Sequence, residues 1–387
     1  MVLGHLRTTF PDLDLSVLTA APDVAATRAR FGVPVVSVRA GAETPSRGRL
    51  ASSVARVREA LRITAESWRV PRRFDVVVAT GGGFLEAEGS LAAGSLLAWV
   101  ALVVTALAAS TGGRRWVVFD VGATPQPSRL ARAFSRAALR RASRRSFRDQ
   151  GSRDAMVSAG GATTSDTVAA DLVLSRWAAS GPEPVVGRRR VGIGVMSFGW
   201  SGPAVGRALD QAGYEREIAV AVAALVAGGA EVVLFGGDRA DEPVAAEVER
   251  AVAALQGGDR ATGVDRVTPR TFDDLLAVVR SCDVVAGSRY HNVVGALISG
   301  LPAVAVVDRV KLRDLAWSVG LGELVHEARS LDGAALASTI ELALDQRAAL
   351  AARVRAAGAP LADAARNELV ALDAIVRDVV AGPAISR

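Results

Sequence analysis

"SCDVVAGSRYHNVVGALISGLPAVAVV", Ser281 to Val307, decides the fold. Its two short apolar runs, Asp283–Ala286 and Ala303–Val307, have strand length and β-branched character. Between them Asn292–Ser299 has helical length, and the following Gly300 and Pro302 stop it. Strand, helix and strand in so short a span make a parallel βαβ unit, because parallel strands need a crossover. The polar island Gly287–His291 then falls at the carboxyl end of the first strand, where the helix starts. Ligands of open α/β sheets bind at that edge.

The same alternation runs outward in both directions. Downstream, Leu312–Val319 reads as the next helix. Upstream, strands are expected at Val191–Met196, Glu231–Phe235 and Val264–Val267, with helices at Ile218–Ala227, Val244–Leu255 and Asp273–Arg280. The pattern breaks at "ASGPEPVVGRRR", Ala179 to Arg190, whose prolines, glycines and arginines suit a linker. Before the break it is present again. Strands are expected at Leu13–Thr19, Val35–Val38, Asp75–Thr80, Trp116–Val121 and Leu172–Leu174. Helices are expected at Val54–Thr64, Leu91–Ala109, Leu130–Arg144 and Arg153–Ala159. The chain therefore predicts an α/β fold of two Rossmann-like domains facing a cleft: 1–180, a linker at 181–190, and 191–387. An Ala-rich helix at about Leu361–Val380 is expected to pack back on the first domain. That domain opens on a helix-then-strand stretch, "LGHLRTTFPDLDLSVLT", without the strand and ligand loop that usually begin such a domain. The expectation is that its first strand is trimmed or lies upstream.

Composition narrows the function classes. The chain has 387 residues, 50% of them hydrophobic, which suits large buried cores and not a disordered chain. Its single cysteine, Cys282, excludes an internal disulfide and a cysteine zinc cluster, and suits a reducing cytoplasmic setting. The net charge is +6, but every basic residue except Lys311 is arginine. That bias matches a GC-rich coding sequence, so the charge does not argue for nucleic acid. It does single out Lys311, where a compact ammonium has survived. Its opening residues lack a basic stretch followed by a long apolar core, so no secretory leader is expected. Gly89–Gly113 is uncharged and long enough to cross a bilayer, but its place between strands favours a buried helix.

Several segments carry candidate chemistry. Gly81, Gly82 and Gly83 follow a strand, where backbone amides can approach a ligand closely. They match neither a dinucleotide fingerprint nor a phosphate-binding GK[ST] loop, and a tight turn explains them equally well. In Leu130–Arg144, Leu130, Phe134, Ala137 and Ala138 read as the apolar face. Arg129, Arg132, Arg136, Arg140 and Arg144 read as a solvated or membrane-facing one. Arg148 and Asp149 in "SFRDQGS" stand before a helix at a sheet edge. In the opening stretch Ser288 is a possible cap, and Arg289 with the helix amides near Asn292 suits a phosphate or carboxylate. His291 beside them can transfer a proton near neutral pH. Asp308, Arg309 and Lys311 follow the next strand on the same rim. Retaining glycosyltransferases of two-domain build often carry a ribose-binding Glu at the position of Gly295; no acid lies between His291 and Asp308.

The combination of "GGGFL", "SFRDQGS" and "SRYHNVVGALISGLPAVAVVDRVKLRDLAWSVGL" resembles the polysaccharide pyruvyl transferase family, in element order from about Leu6 to Leu324. The resemblance implies a glycosyltransferase-B-like fold. It also implies transfer of the enolpyruvyl unit of phosphoenolpyruvate to a sugar hydroxyl of a cell-envelope or exopolysaccharide precursor, with ketal closure. Arg289 and His291 match the family's Arg-x-His, Lys311 its lysine, and Arg148 the arginine of its R-D-x-x-S segment. On that basis His291, Arg289 and Lys311 are the expected catalytic residues. Arg148, Ser288, Asn292 and Gly81–Gly83 are the expected substrate contacts. Phosphoenolpyruvate is the donor, and neither metal nor further cofactor is expected. The expected partner is a sugar or lipid-linked glycan, with peripheral membrane contact possible and nucleic acid not expected. "FDVGATPQP" stands where the family more often has "QGIGP". Two other readings stay open: transfer from a nucleotide sugar, and a non-catalytic member of the family.

Overall fold

The computed structural model describes residues 1–19, 24–37, 49–81, 85, 93–126, 128–178, 187, 189–198, 210–308 and 310–381. The chain forms two compact units, Met1–Leu172 with Ala364–Arg387, and Val173–Asp363. The division falls upstream of the segment 181–190. Of that segment only residues 187, 189 and 190 are described.

The first unit contains α1 (Val2–Thr9), β1 (Val17–Thr19), α2 (Val24–Phe31), β2 (Val35–Ser37), α3 (Arg49–Arg69), β3 (Val76–Thr80) and α4 (Ala93–Ala109). It continues with β4 (Arg115–Val121), α5 (Arg129–Leu139), β5 (Arg144–Phe147), α6 (Gln150–Ser158) and β6 (Thr167–Val168). Strands β3, β4, β5 and β6 pair in that order, all parallel; β1 and β2 form a separate parallel pair. Alternation along β4 feeds two cores. Trp116, Val118 and Val121 pack with Ala106, Ala138 and Met156. Val117 and Phe119 point the other way, onto Leu369 and Leu372. Trp116 Nε1 donates to the Ala138 carbonyl at 3.1 Å, so the indole is buried with its donor satisfied.

The second unit contains β7 (Arg190–Val195), α7 (Gln211–Ala227), β8 (Glu231–Gly236), α8 (Glu242–Leu255), β9 (Val264–Val267), α9 (Phe272–Arg280) and β10 (Val284–Gly287). Then come α10 (Tyr290–Ile298), β11 (Ala303–Val307), α11 (Val310–Ser318), β12 (Val325–Glu327) and α12 (Gly333–Asp345). A last helix, α13 (Arg347–Ala381), begins in this unit, and its residues from Ala364 onward belong to the first. The six strands are parallel, in the order β12-β11-β10-β7-β8-β9. The chain starts at β7, builds outward to β9, then returns to the other side of β7 with β10. The order reverses between β7 and β10, which is the crevice position of a doubly wound sheet. Every residue of β10 and β11 is buried, so these strands are continuous apolar runs and not alternating ones. Each such Val contributes about 1.5–3 kcal/mol of transfer free energy.

The βαβ unit at Ser281–Val307 has the expected order, with α10 starting at Tyr290. Three expectations fail locally. Leu172–Leu174 is not a strand but part of a 3-10 turn, Leu172–Arg176. Its three apolar residues are all buried, and the Leu172 N–H is taken by the Asp120 carboxylate at 3.1 Å instead of a strand neighbour. A short apolar run does not by itself distinguish the two forms. The helix expected to reach Arg144 ends at Leu139, and Arg144 begins β5. There Arg144 and Arg145 pair with Glu368 and Asp166 at 2.7 and 2.8 Å, while Ser146 and Phe147 turn inward. Finally, α5 buries Ala131, Ser135, Ala138 and Leu139, and Leu130 faces outward.

Candidate functional site

The second unit gathers the polar island at the reversal of strand order. Gly287 ends β10, the Ser288 N–H donates to the Gly194 carbonyl of β7 at 2.9 Å, and α10 rises from Tyr290. Ser288 does not cap the helix. Arg289 occupies the N-cap position and supplies no side-chain cap bond. The Ser288 hydroxyl instead meets the Tyr214 hydroxyl of α7 at 2.7 Å, both groups buried. Burial, followed by the hydrogen bond to Ser288 in the opposing sense, pushes the Tyr214 phenol above its usual range. The chain has two tyrosines, and both stand here.

Arg289 is held from below. Its Nε and Nη2 donate to Asp241 Oδ2 and Oδ1 at 2.5 and 2.6 Å, a bidentate pair. Asp241 is fully buried and also accepts the backbone N–H groups of Ser197, Gly237 and Asp238, each at 2.9 Å. It lies in the turn after β8, where "GGDRAD" follows the strand. Burial alone would lower the Arg289 pKa. The Asp241 hydrogen bonds and charge, with Asp238 and Asp308, raise it instead. The guanidinium charge is therefore answered before any ligand arrives, and ligand contact falls to the remaining edge of its fork.

Asn292, in the first turn of α10, is fully buried, and neither its Oδ1 nor its Nδ2 has a partner among the described residues. It is wedged between two glycines at strand ends. A Cβ on Gly194 would lie 2.3 Å from Nδ2, and one on Gly237 would lie 2.9 Å from Oδ1. The glycines are thus needed for close approach, and the amide is the one unsatisfied group they admit. A buried amide left unpaired costs about 1–3 kcal/mol, which a ligand atom or ordered water recovers.

His291 is exposed on the same turn. Its ring meets Phe272 of α9 edge-on at 6.1 Å and Tyr290 at 5.6 Å. Phe272 is in turn covered by the Arg176 guanidinium, 5.7 Å from its centroid, and Arg176 pairs with Asp273 at 2.6 Å. Lys311 lies in the first turn of α11, after β11 and Asp308; Arg309 lies outside the described residues. Ser288, Arg289, His291 and Asn292 thus share one helix start, and Lys311 opens the next helix of the same unit.

The other expected contacts belong to the first unit. Gly81 follows β3 with φ of 65°, a conformation that favours glycine, and is exposed. Gly82 and Gly83 lie outside the described residues. Arg148 follows β5 and stands 3.6 Å from Asp171. Asp149 caps α6 through the Ser152 N–H at 2.6 Å. Beside them is a residue the sequence reading missed. Asp120 is the penultimate residue of β4, at a register shift, and is the one non-glycine residue with positive φ (52°) among those described. It is buried, and its Oδ1 has no partner among the described residues. Its carboxyl is pushed up to about 7, by burial first and then by Asp171. The Leu172 N–H and Arg148 oppose that rise, and Glu368 adds to it. The clue was present in "FDVGATPQP": an acid at the end of an apolar strand.

Asp120 has a measurable consequence. Its folded pKa lies above the usual 3.8, so folding favours the protonated form. That stabilisation is complete below about pH 4 and is lost as pH rises to about 7. Asp120→Asn keeps the shape and tolerates the left-handed backbone. The variant is expected to gain stability relative to the parent as pH rises through this window, read as urea midpoints at stepped pH. Parallel curves would exclude Asp120 as the source.

Among the described residues no group of His, Cys, Asp and Glu side chains is placed to hold a metal ion. No helix there is long and apolar enough to cross a membrane.

A model of the polysaccharide pyruvyl transferase family matches residues 2–308. The chain belongs to that family. The match includes the α10 site and ends before Lys311. Membership makes the protein one of a family of polysaccharide-modifying transferases. No protein of curated function matches the chain. Several solved structures share its fold. Anabaena HepE in complex with UDP-glucose aligns at a TM-score of 0.58 and 16% identity, over 96% of this chain and 95% of that one. UDP-GlcNAc 2-epimerase from Neisseria meningitidis bound to UDP-GlcNAc aligns at 0.57 and 10%, over 97% and 95%. The glycotransferase of kitacinnamycin aligns at 0.55 and 16%, over 97% and 94%. Identities this low establish the fold alone: two Rossmann-like domains of glycosyltransferase-B type.

Proposed function

We propose that the protein transfers the pyruvyl group of phosphoenolpyruvate to a sugar hydroxyl of a cell-envelope or exopolysaccharide precursor, closing a ketal. The observation that carries this reading is the α10 start, where Arg289, His291 and the unpaired Asn292 amide converge at the reversal of strand order. Phosphoenolpyruvate presents a phosphate and a carboxylate close together. The amides of the first turn of α10, the outer edge of Arg289 and Lys311 supply positive potential for both. Asn292 supplies a donor and an acceptor that no other described residue satisfies. His291 gives a proton to C3 of the enol, which makes C2 electrophilic. An acceptor oxygen bonds to C2 and its proton passes to solvent or a base. The C2–O bond to phosphate breaks and phosphate leaves, and a second hydroxyl of the same sugar bonds to C2 and gives its proton to solvent or the leaving phosphate, closing the ketal. No step calls for a metal.

Nucleotide-sugar transfer is the rival, since the fold neighbours named above were solved with UDP-sugars or act as glycosyl transferases. The lack of an acid between His291 and Asp308 weighs against it. Thermal-shift titration of the purified chain separates the two. Phosphoenolpyruvate is expected to raise the melting temperature and UDP-sugars to leave it unchanged. Phosphate release is expected only when an acceptor sugar or lipid-linked glycan is added. Stabilisation by UDP-sugars and none by phosphoenolpyruvate would overturn the proposal. Binding of phosphoenolpyruvate without turnover on any acceptor would mark a non-catalytic member.

A further inference from the structure

In the first unit α3, α4 and α5 pack side by side. The middle helix has no charged residue along its whole length. A surface helix ordinarily turns a charged face to water; one apolar all round is ordinarily buried. Helix α4 is neither. Trp99, Ala106 and Ala109 enter the core, but Leu96 is 37% exposed and Leu97, Val100, Ala101 and Val104 are only half-buried. Both neighbouring helices also expose apolar residues. Val57 and Leu61, one turn apart on α3, are 60% and 67% exposed, and Leu130 on α5 is 45% exposed. Scattered single leucines are ordinary, but exposed apolar residues on each of three helices packed side by side mark an interaction surface.

Charge says what covers it. From Val121 to Arg148 the chain contains no acid. Other arginines of this unit stand on carboxylates drawn from outside that stretch or on their own helix: Arg144 on Glu368, Arg145 on Asp166, Arg62 on Glu59. Arg129, Arg132, Arg140 and Arg141, on α5 and just past its end, have no carboxylate partner among the described residues. Arg58 is exposed beside Val57. Apolar side chains flanked by unanswered arginines suit a surface that is apolar below and anionic above.

We infer that the α3–α4–α5 face docks on an anionic lipid bilayer, with Leu61, Leu96 and Leu130 entering the acyl boundary and the α5 arginines meeting lipid phosphates. The helices lie on the membrane and do not cross it. The inference stands apart from the choice of donor substrate.

Co-sedimentation of the full chain with vesicles tests it. Binding is expected to vesicles of phosphatidylcholine with phosphatidylglycerol, far less to phosphatidylcholine alone, and to weaken with added salt. Arg129→Gln and Arg140→Gln are each expected to lower partition about fivefold, equivalent to about 1 kcal/mol per arginine. Leu61→Asp, at a position that is already mostly exposed, is expected to lower binding further while leaving the thermal unfolding midpoint in place. Wild-type protein that stays in the supernatant would overturn the inference, as would binding that none of the three variants changes. Self-association abolished by Leu61→Asp, without vesicle binding, would assign the face to a second copy of the chain and overturn it equally.

Discussion

Asp241→Ala is expected to destabilise the second unit by about 3–5 kcal/mol, the range for removing one partner of a buried ion pair. The loss has two parts. The Arg289 guanidinium keeps its charge but loses its bidentate partner. The N–H groups of Ser197, Gly237 and Asp238 lose a shared acceptor that water cannot replace at a fully buried position. A double-mutant cycle with Arg289→Ala, followed by denaturant unfolding, isolates the first part. The double variant is expected to lose less than the sum of the singles, because it leaves no orphaned guanidinium. Additive losses would mean that Asp241 acts only through the backbone and does not set the position of Arg289. Asp241→Asn, which keeps an acceptor oxygen, is expected to fall between the parent and the alanine variant.

His291→Ala is expected to lower turnover by about 10²–10⁴-fold, the usual contribution of a positioned acid or base. Phosphoenolpyruvate affinity is expected to change little. The ring is exposed and rests edge-on against Phe272 and Tyr290, so its removal opens no buried cavity. Phosphate release under saturating donor, with donor binding measured separately, gives the split between the two effects. Equal loss of binding and turnover would make His291 a binding group. Unchanged phosphate release would remove it from the reaction altogether.

The two residues differ in how they could be found. Arg289 and His291 were legible because polar residues between two apolar runs break a periodic pattern at a place that topology makes meaningful. Asp241 was not, because its role depends on strand order. It lies far from Arg289 in sequence, and only the pairing of β10 with β7 and of β7 with β8 brings "GGDRAD" beneath "GSRYH". Tyr214 and the glycines at 194 and 237 share this character. A glycine's need for close approach shows only when the side chain it admits, here Asn292, is in place. Lys311 stood out through scarcity, which is a property of sequence.

Along the chain, the βαβ rhythm of the second unit was carried by apolar periodicity and by the stops after each helix, both local properties. The failures came where a local pattern was outvoted by burial or ion pairing. Leu172–Leu174 became a turn because Asp120 took its backbone donor. Arg144 left its helix for a strand because Glu368, distant in sequence, supplied a partner. The carboxyl of Asp120 is raised by burial and by Asp171 and Glu368, which come from two other segments of the chain. Sequence alone determined the fold class and the polar island at the start of α10, since both follow from short-range spacing and backbone propensity. Tertiary structure alone decided which charge answers Arg289, which amide stays unpaired and which helix keeps an uncovered apolar face. Those depend on distances between residues that only the packed chain brings together.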